Sequence, residues 1–105
     1  GVEVFSVFDS DFFSNSWLTI ILINSHLTNG ITRENLRIAL VNEDVEARPL
    51  WKPMHIQPVF STYPYYGYKN AENLFDNGLC LPSGSSLTQK DKEFIGSIIK
   101  QVFKQ

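Results

Sequence analysis

Arg48, Lys52 and His55 fall within eight consecutive positions, inside the stretch ARPLWKPMH at 47–55. A guanidinium gives a rigid fork that can hold a phosphate or carboxylate with two hydrogen bonds, and an ammonium gives a point charge. An imidazole can donate or accept near neutral pH. Trp51 can stack on a ring or stay in the core. Pro49 and Pro53 lower the entropy cost of holding the segment ready. The group suits an anionic, partly planar ligand such as a nucleotide-linked substrate. The competing reading is a plain loop in which Trp51 and Met54 pack inward and the charges are solvated.

Other chemistry is sparse. The chain has no phosphate-loop pattern, dinucleotide fingerprint or HExxH motif. His26, His55 and Cys80 lack metal-ligand spacing, so no metal site is assigned. Cys80 sits in LCLP and reads as a small buried hydrophobe, although a Cys80/His55 nucleophile pair is open on composition. His26 lies in a polar turn and is expected to face solvent.

The elements that must position these residues follow from periodicity. Residues 1–8 alternate loosely through Val2, Val4 and Phe8, as an edge strand or an extended lead-in. WLTIILIN at 17–24 is almost continuously apolar and rich in β-branched residues, the pattern of a strand central in its sheet. Asn29-Gly30 signals a turn. The stretch 31–45 reads as a helix capped by Thr32, with Glu34 near the positive end of its dipole and Leu36, Ala39 and Leu40 facing inward. Ile31 is placed to staple onto Leu36. VEARPL, 45–50, is a short strand ended by Pro49. Three prolines forbid a long helix over 51–68, which is expected to be an ordered loop with one short helical turn. Ordered loops of that length are usually functional. A short helix at 70–78 closes on Gly78, a buried strand spans 79–82, and SGSS at 83–86 is a turn. The clearest helix is 87–104. Thr88 caps it with Asp91 three residues on, and Phe94, Ile95, Ile98, Ile99, Val102 and Phe103 form one apolar stripe.

This order predicts an α+β fold, an α/β sandwich with a small sheet of about three strands and helices on one face. The 105 residues suit one domain, 43% hydrophobic and 19% charged. A chain this short buries only about 60–70% of its unfolded surface, so surplus aromatics among its eight Phe, four Tyr and two Trp either face a partner or simply fill the core. Self-association is expected on the same ground. The net charge of −2 argues against nucleic acid, and scattered Lys and Arg argue against a membrane surface. A single cysteine suits a reducing cytoplasm. The only methionine is Met54, so the chain is expected to be a piece of a longer protein.

ARPLWKPMHIQPVF, followed by AENLFDNGLCLPSGSSLTQKD, resembles the C-terminal part of the DegT/DnrJ/EryC1/StrS family, the pyridoxal-phosphate-dependent sugar aminotransferases. SNSWLTIILI resembles the Ser-Asn-Arg-Trp-Leu-Thr stretch that opens the same domain. The likeness runs from about Ser14 to the last helix. It implies a fold-type I homodimer in which a large domain carries pyridoxal phosphate on a lysine. Residues 14–105 would be the small C-terminal domain and 1–13 a lead-in from the large one. Neither the cofactor lysine nor the cofactor-ring aspartate has a match here, so no catalytic residue is assigned and the chain alone is expected to be inactive. The resemblance implies a nucleotide-linked keto sugar as substrate and glutamate as amino donor. Asn15 matches the family asparagine that reaches the cofactor phosphate across the dimer, and Ser16 stands where the family often has arginine. His55 matches the family histidine at the substrate entrance, with Arg48 and Lys52 near it. Trp51 is expected to pack. Two rival readings stay open: a free-standing metabolite-binding module, and a sugar-sensing relative without the lysine.

Overall fold

The computed structural model describes residues 1–6 and 9–104. The part of the N-terminal alternation that falls on Phe8 lies outside them.

Four strands form one antiparallel sheet: β1 (Val2–Val4), β2 (Thr19–Ile23), β3 (Arg48–Pro49) and β4 (Gly78–Leu81), in the order β1-β2-β4-β3. The sheet therefore has one strand more than the expected three, because Val2–Val4 pairs along β2 as an edge strand. The apolar run at 17–24 supplies β2, which lies between β1 and β4. Facing residues in an antiparallel pair share one side of the sheet. Ile21 faces Leu79 and Ile20 faces Cys80. Ile21, Ile23 and Leu79 thus form the inner face and join Leu36, Leu40, Ala47 and Ile98 in a single core cluster.

The helices that cover this face are α1 (Arg33–Asn42) and α3 (Gln89–Phe103). Both begin with a capping box. In α1 the Asn35 N–H donates to Thr32 Oγ1 at 3.3 Å, and the Thr32 N–H donates back to Asn35 Oδ1 at 2.9 Å. In α3 the same exchange links Thr88 and Asp91 at 3.2 and 2.7 Å. Such caps satisfy N–H groups that have no partner inside the helix. Leu36, Leu40 and Ile98 carry the helical stripes into the core. Ala39, Ile95, Ile99, Val102 and Phe103 pack around them.

A third helix, α2 (Asn70–Asn77), runs into β4 without an intervening loop. Gly78 makes that junction possible. Its φ is an ordinary −92°, but a Cβ there would collide with the Leu50 side chain and lie 2.5 Å from the Leu74 carbonyl oxygen. The start of α1 is tied to α2 as well. Arg33 Nε donates to the Asp76 carbonyl at 2.9 Å, and its guanidinium lies 4.8 Å from the Phe75 ring centroid.

The segment 51–68 is irregular, as expected, but holds two 3-10 turns rather than one, Met54–Ile56 and Pro58–Phe60. The strand expected over 45–50 shrinks to Arg48–Pro49. Proline has no N–H to continue a ladder.

Two consequences are measurable. Leu40 is fully buried, so Leu40→Ala should cost about 2–5 kcal/mol in urea unfolding of the protein; a cost below about 1 kcal/mol would mean that the core is not centred here. The Thr88 hydroxyl, and then its backbone N–H, hold the Asp91 carboxyl below the usual aspartate range. A depressed carboxyl stabilises the fold above its unfolded value and loses that contribution as pH falls through the folded one. The unfolding midpoint should therefore drop more steeply on acidification in the unmodified protein than in Asp91→Asn, and equal slopes would remove the role of this cap.

Candidate functional site

The 47–55 stretch is pinned at its start. Ala47 is buried in the core, and β3 holds Arg48 against Cys80 and Pro49 against Leu79. Beyond β3 the chain turns through Pro53 into Met54–Ile56, where the Gln57 amide Nε2 donates to the Lys52 carbonyl at 2.8 Å. These bonds fix the loop from within.

The structure treats the four sequence-selected residues differently. Arg48 turns back on Glu46, with Nε and Nη2 donating to Oε1 at 2.7 and 2.5 Å. Both side chains are largely exposed, so the pair adds little to stability and leaves the guanidinium within reach of a stronger anion. Lys52 is exposed and makes no ion pair among the described residues. His55 is ordered from several sides. Its Nε2 lies 2.9 Å from Glu72 Oε1 on α2, and the His55 side chain keeps only 17% of its exposure. The Tyr65 ring stacks on the imidazole, with centroids 3.7 Å apart and planes within 18°.

Asn15 sits in a tight turn. Its Oδ1 accepts the Trp17 N–H at 3.1 Å, and Ser16 adopts a left-handed φ of 52°. With the carbonyl side of the amide engaged, Nδ2 is left as the donor. Asn15 lines a hollow of about 330 Å³ with Phe5, Ser14, Trp17, Ile20 and Trp51. This hollow brings Asn15 together with Trp51 of the 47–55 loop, but Arg48, Lys52 and His55 do not line it. Trp51 corrects the expectation that it packs. It is 69% exposed, and its aromatic neighbour is Trp17, tilted by 36° at a centroid distance of 6.3 Å. Met54 is likewise exposed. Inward space at this level is taken by Ala47, Leu79 and the α1 leucines.

Cys80 is buried at the strand centre, where burial pushes its thiol up. A raised thiol is a poor nucleophile. No hydrogen bond joins it to His55 among the described residues. His26 is exposed in the 3-10 turn Ser25–Leu27. Among the described residues no cluster of three or more His, Cys, Asp or Glu is placed to hold a metal ion. No helix there is long and apolar enough to cross a membrane.

Glu72 and Tyr65 are the site residues that sequence reasoning misses. Glu72 reads only as an acid in the first turn of a short helix, and Tyr65 as one aromatic among several. Seventeen positions separate Glu72 from His55, and no period crosses the irregular loop between them.

Comparison with known proteins gives the family and the fold. The pattern of the DegT/DnrJ/EryC1/StrS aminotransferase family matches residues 4–100. A Bacillus subtilis (strain 168) protein whose name gives it as a pyridoxal phosphate-dependent aminotransferase, EpsN, is 36% identical over 86% of this chain. GDP-perosamine synthase of Escherichia coli O157:H7 is 31% identical over 89% of it. The chain spans only 23% and 24% of those two proteins. Among solved structures, DesI, determined in the presence of its TDP-sugar product, superposes over 100% of this chain and 26% of its own, with a TM-score of 0.82 at 23% identity. The aminotransferase TlmJ from Streptoalloteichus hindustanus gives a TM-score of 0.78 at 16% identity, over 99% of this chain and 26% of its own. The matched segment takes in Asn15, the whole 47–55 loop and Glu72, and the chain belongs to the DegT/DnrJ/EryC1/StrS aminotransferase family.

Proposed function

We propose that the full-length protein is a pyridoxal-phosphate-dependent aminotransferase that aminates a nucleotide-linked keto sugar with glutamate as donor. Residues 14–105 are its C-terminal small domain, reached through a lead-in at 1–13. The observation that carries this reading is the family match over residues 4–100. The relatives' names favour a nucleotide sugar, since one is a GDP-perosamine synthase and another was solved with its TDP-sugar product.

Pyridoxal phosphate supplies the electron sink for amino transfer when it is bound. This chain fits an edge of that cofactor rather than its cradle. Asn15 Nδ2 is an open neutral donor suited to a phosphate oxygen. The aromatic groups around it, Phe5, Trp17 and Trp51, offer no charge. The cofactor lysine and most cofactor contacts then belong to the large domain, and this domain alone is inactive. Its work is to line the substrate cleft. His55 touches the sugar or its diphosphate, while Arg48 and Lys52 draw in the anionic part.

The surface supports a domain covered by its own large domain and by a second subunit. A compact 12.0 kDa monomer exposes about 6,000 Å². This chain exposes 8074 Å², with Phe13, Tyr66 and Tyr68 each more than four-fifths bare. The reading is of a cytoplasmic homodimer.

The first test is optical. The full-length protein should show a yellow absorbance band that shifts when glutamate is added. A protein that stays colourless with added cofactor overturns the enzyme reading in favour of a binding or sensing module. The second test is kinetic. His55→Ala should lower kcat/KM for the sugar half-reaction by about 10–100-fold, the loss of a hydrogen bond that leaves its partner unpaired in the cleft. The glutamate half-reaction should be nearly unmoved, and equal losses in both would remove His55 from the sugar site.

A further inference from the structure

We infer that Glu72 is a positioning residue that selects which nitrogen of His55 meets the substrate; this rests on the reading of His55 as a sugar-site residue. A histidine used for recognition has two inequivalent nitrogens, and the partner of one decides the role of the other. Here the Nε2 of His55 lies 2.9 Å from Glu72 Oε1. A carboxylate only accepts, so Nε2 carries the proton. Nδ1 makes no hydrogen bond to any described residue, and it is not among the buried polar atoms that lack a partner. It is therefore not sealed in the interior, and it is the ring nitrogen left for a ligand. In the neutral ring it accepts, which matches a sugar hydroxyl.

The ring is also held in place by its neighbours. Tyr65 covers one face of the imidazole. Tyr65 is itself fixed, because its hydroxyl donates to the Tyr68 carbonyl at 2.6 Å. Gly67 lets the chain bend back for that bond. Its φ of +145° disfavours any side chain, and a Cβ there would lie 3.2 Å from the Tyr65 hydroxyl. Glu72 sits in the first turn of α2, which is continuous with β4, so the carboxylate is anchored on a rigid element. One side of the ring is stacked and one nitrogen is bonded, which leaves Nδ1 with a set direction. Recognition groups held this way by outer neighbours lose less entropy on binding.

The test uses the full-length enzyme. Glu72→Ala should raise KM for the keto-sugar substrate about 3- to 10-fold, the effect of one mispositioned hydrogen bond, and leave the glutamate half-reaction unchanged. Glu72→Gln keeps an oxygen that accepts from Nε2–H and should recover most of that loss. A protein weakened only in its packing would lose thermal stability without this split, and a Glu72→Ala enzyme with unmoved sugar KM beside a damaged His55→Ala enzyme overturns the inference. If His55→Ala also leaves sugar KM unmoved, the sugar-site reading itself fails and the positioning role falls with it. Should Glu72→Ala not fold, the unmodified enzyme decides the matter. With ring-15N-labelled histidine, recorded well above the ordinary histidine titration range, the signal missing from His55→Gln should report the Nε2–H tautomer. An Nδ1–H tautomer overturns the inference.

Discussion

The pairing of β4 along β2 is the constraint on which the rest depends. It sets Ile21 against Leu79, which turns both toward α1 and α3 and builds the core. A one-residue slip would exchange that face for the one carrying Ile20 and Cys80 and leave the helices without a partner. The same strand anchors both halves of the site. On one edge β3 joins it through Arg48 and Pro49, and that strand leads within a few residues to His55. At its start β4 continues directly from α2, which carries Glu72. The His55–Glu72 contact is therefore a bridge between two arms of one strand. That explains why an imidazole on an irregular loop can have a fixed orientation.

What was legible in the sequence was whatever is written in a local period. The stripe of α3, the Thr32 and Thr88 caps and the continuous run of β2 each specify an element without help from elsewhere. The count of strands was harder. Val2–Val4 is short and exposed, and becomes a strand only because β2 presents an open edge to it. The strand expected over 45–50 is longer than the observed one because only Arg48 and Pro49 come alongside β4, which the alternation of the segment does not reveal. Trp51 was misplaced for a related reason. A tryptophan in a proline-rich loop carries no signal of direction, and the core beneath it is already filled by aliphatic residues. The site was half legible. Residue types pointed to His55 with Arg48 and Lys52, and the family resemblance pointed to Asn15, but Glu72 reaches His55 through tertiary folding of a segment that has no period.

The uneven covering of the sheet gives the domain its character. One face is sealed by α1 and α3, while the other carries Ile20 and Leu22 only half-buried, next to the exposed pair Trp17 and Trp51. A radius of gyration of 15.5 Å exceeds the roughly 13 Å of a compact chain of this length. Aromatic rings left in water are unfavourable for an isolated domain and useful at an interface, where they bury large areas with few torsions to fix. The exposed rings cluster in the segments 12–17 and 51–68, the same segments that carry Asn15 and His55. Covering those rings would also exclude water from the site residues and strengthen every polar contact they make.

That placement explains how few polar groups the site needs. Most of the strong charges are committed elsewhere or lie open to water. Arg37 is held by Glu34 along α1, Arg48 by Glu46, and the α3 lysines lie on its exposed side. Among the candidate site residues, the Asn15 amide and the His55 ring combine a fixed orientation with an unused polar atom. Binding sites of this kind are mainly apolar walls with a small number of placed polar atoms, and the specificity resides in those atoms. The turn at Ser16 gives direction to the Asn15 amide, and the stack on Tyr65 with the carboxylate on α2 gives direction to the His55 ring. Discrimination between similar ligands depends on leaving a wrong partner unpaired rather than on total attraction, and oriented groups are what makes that possible.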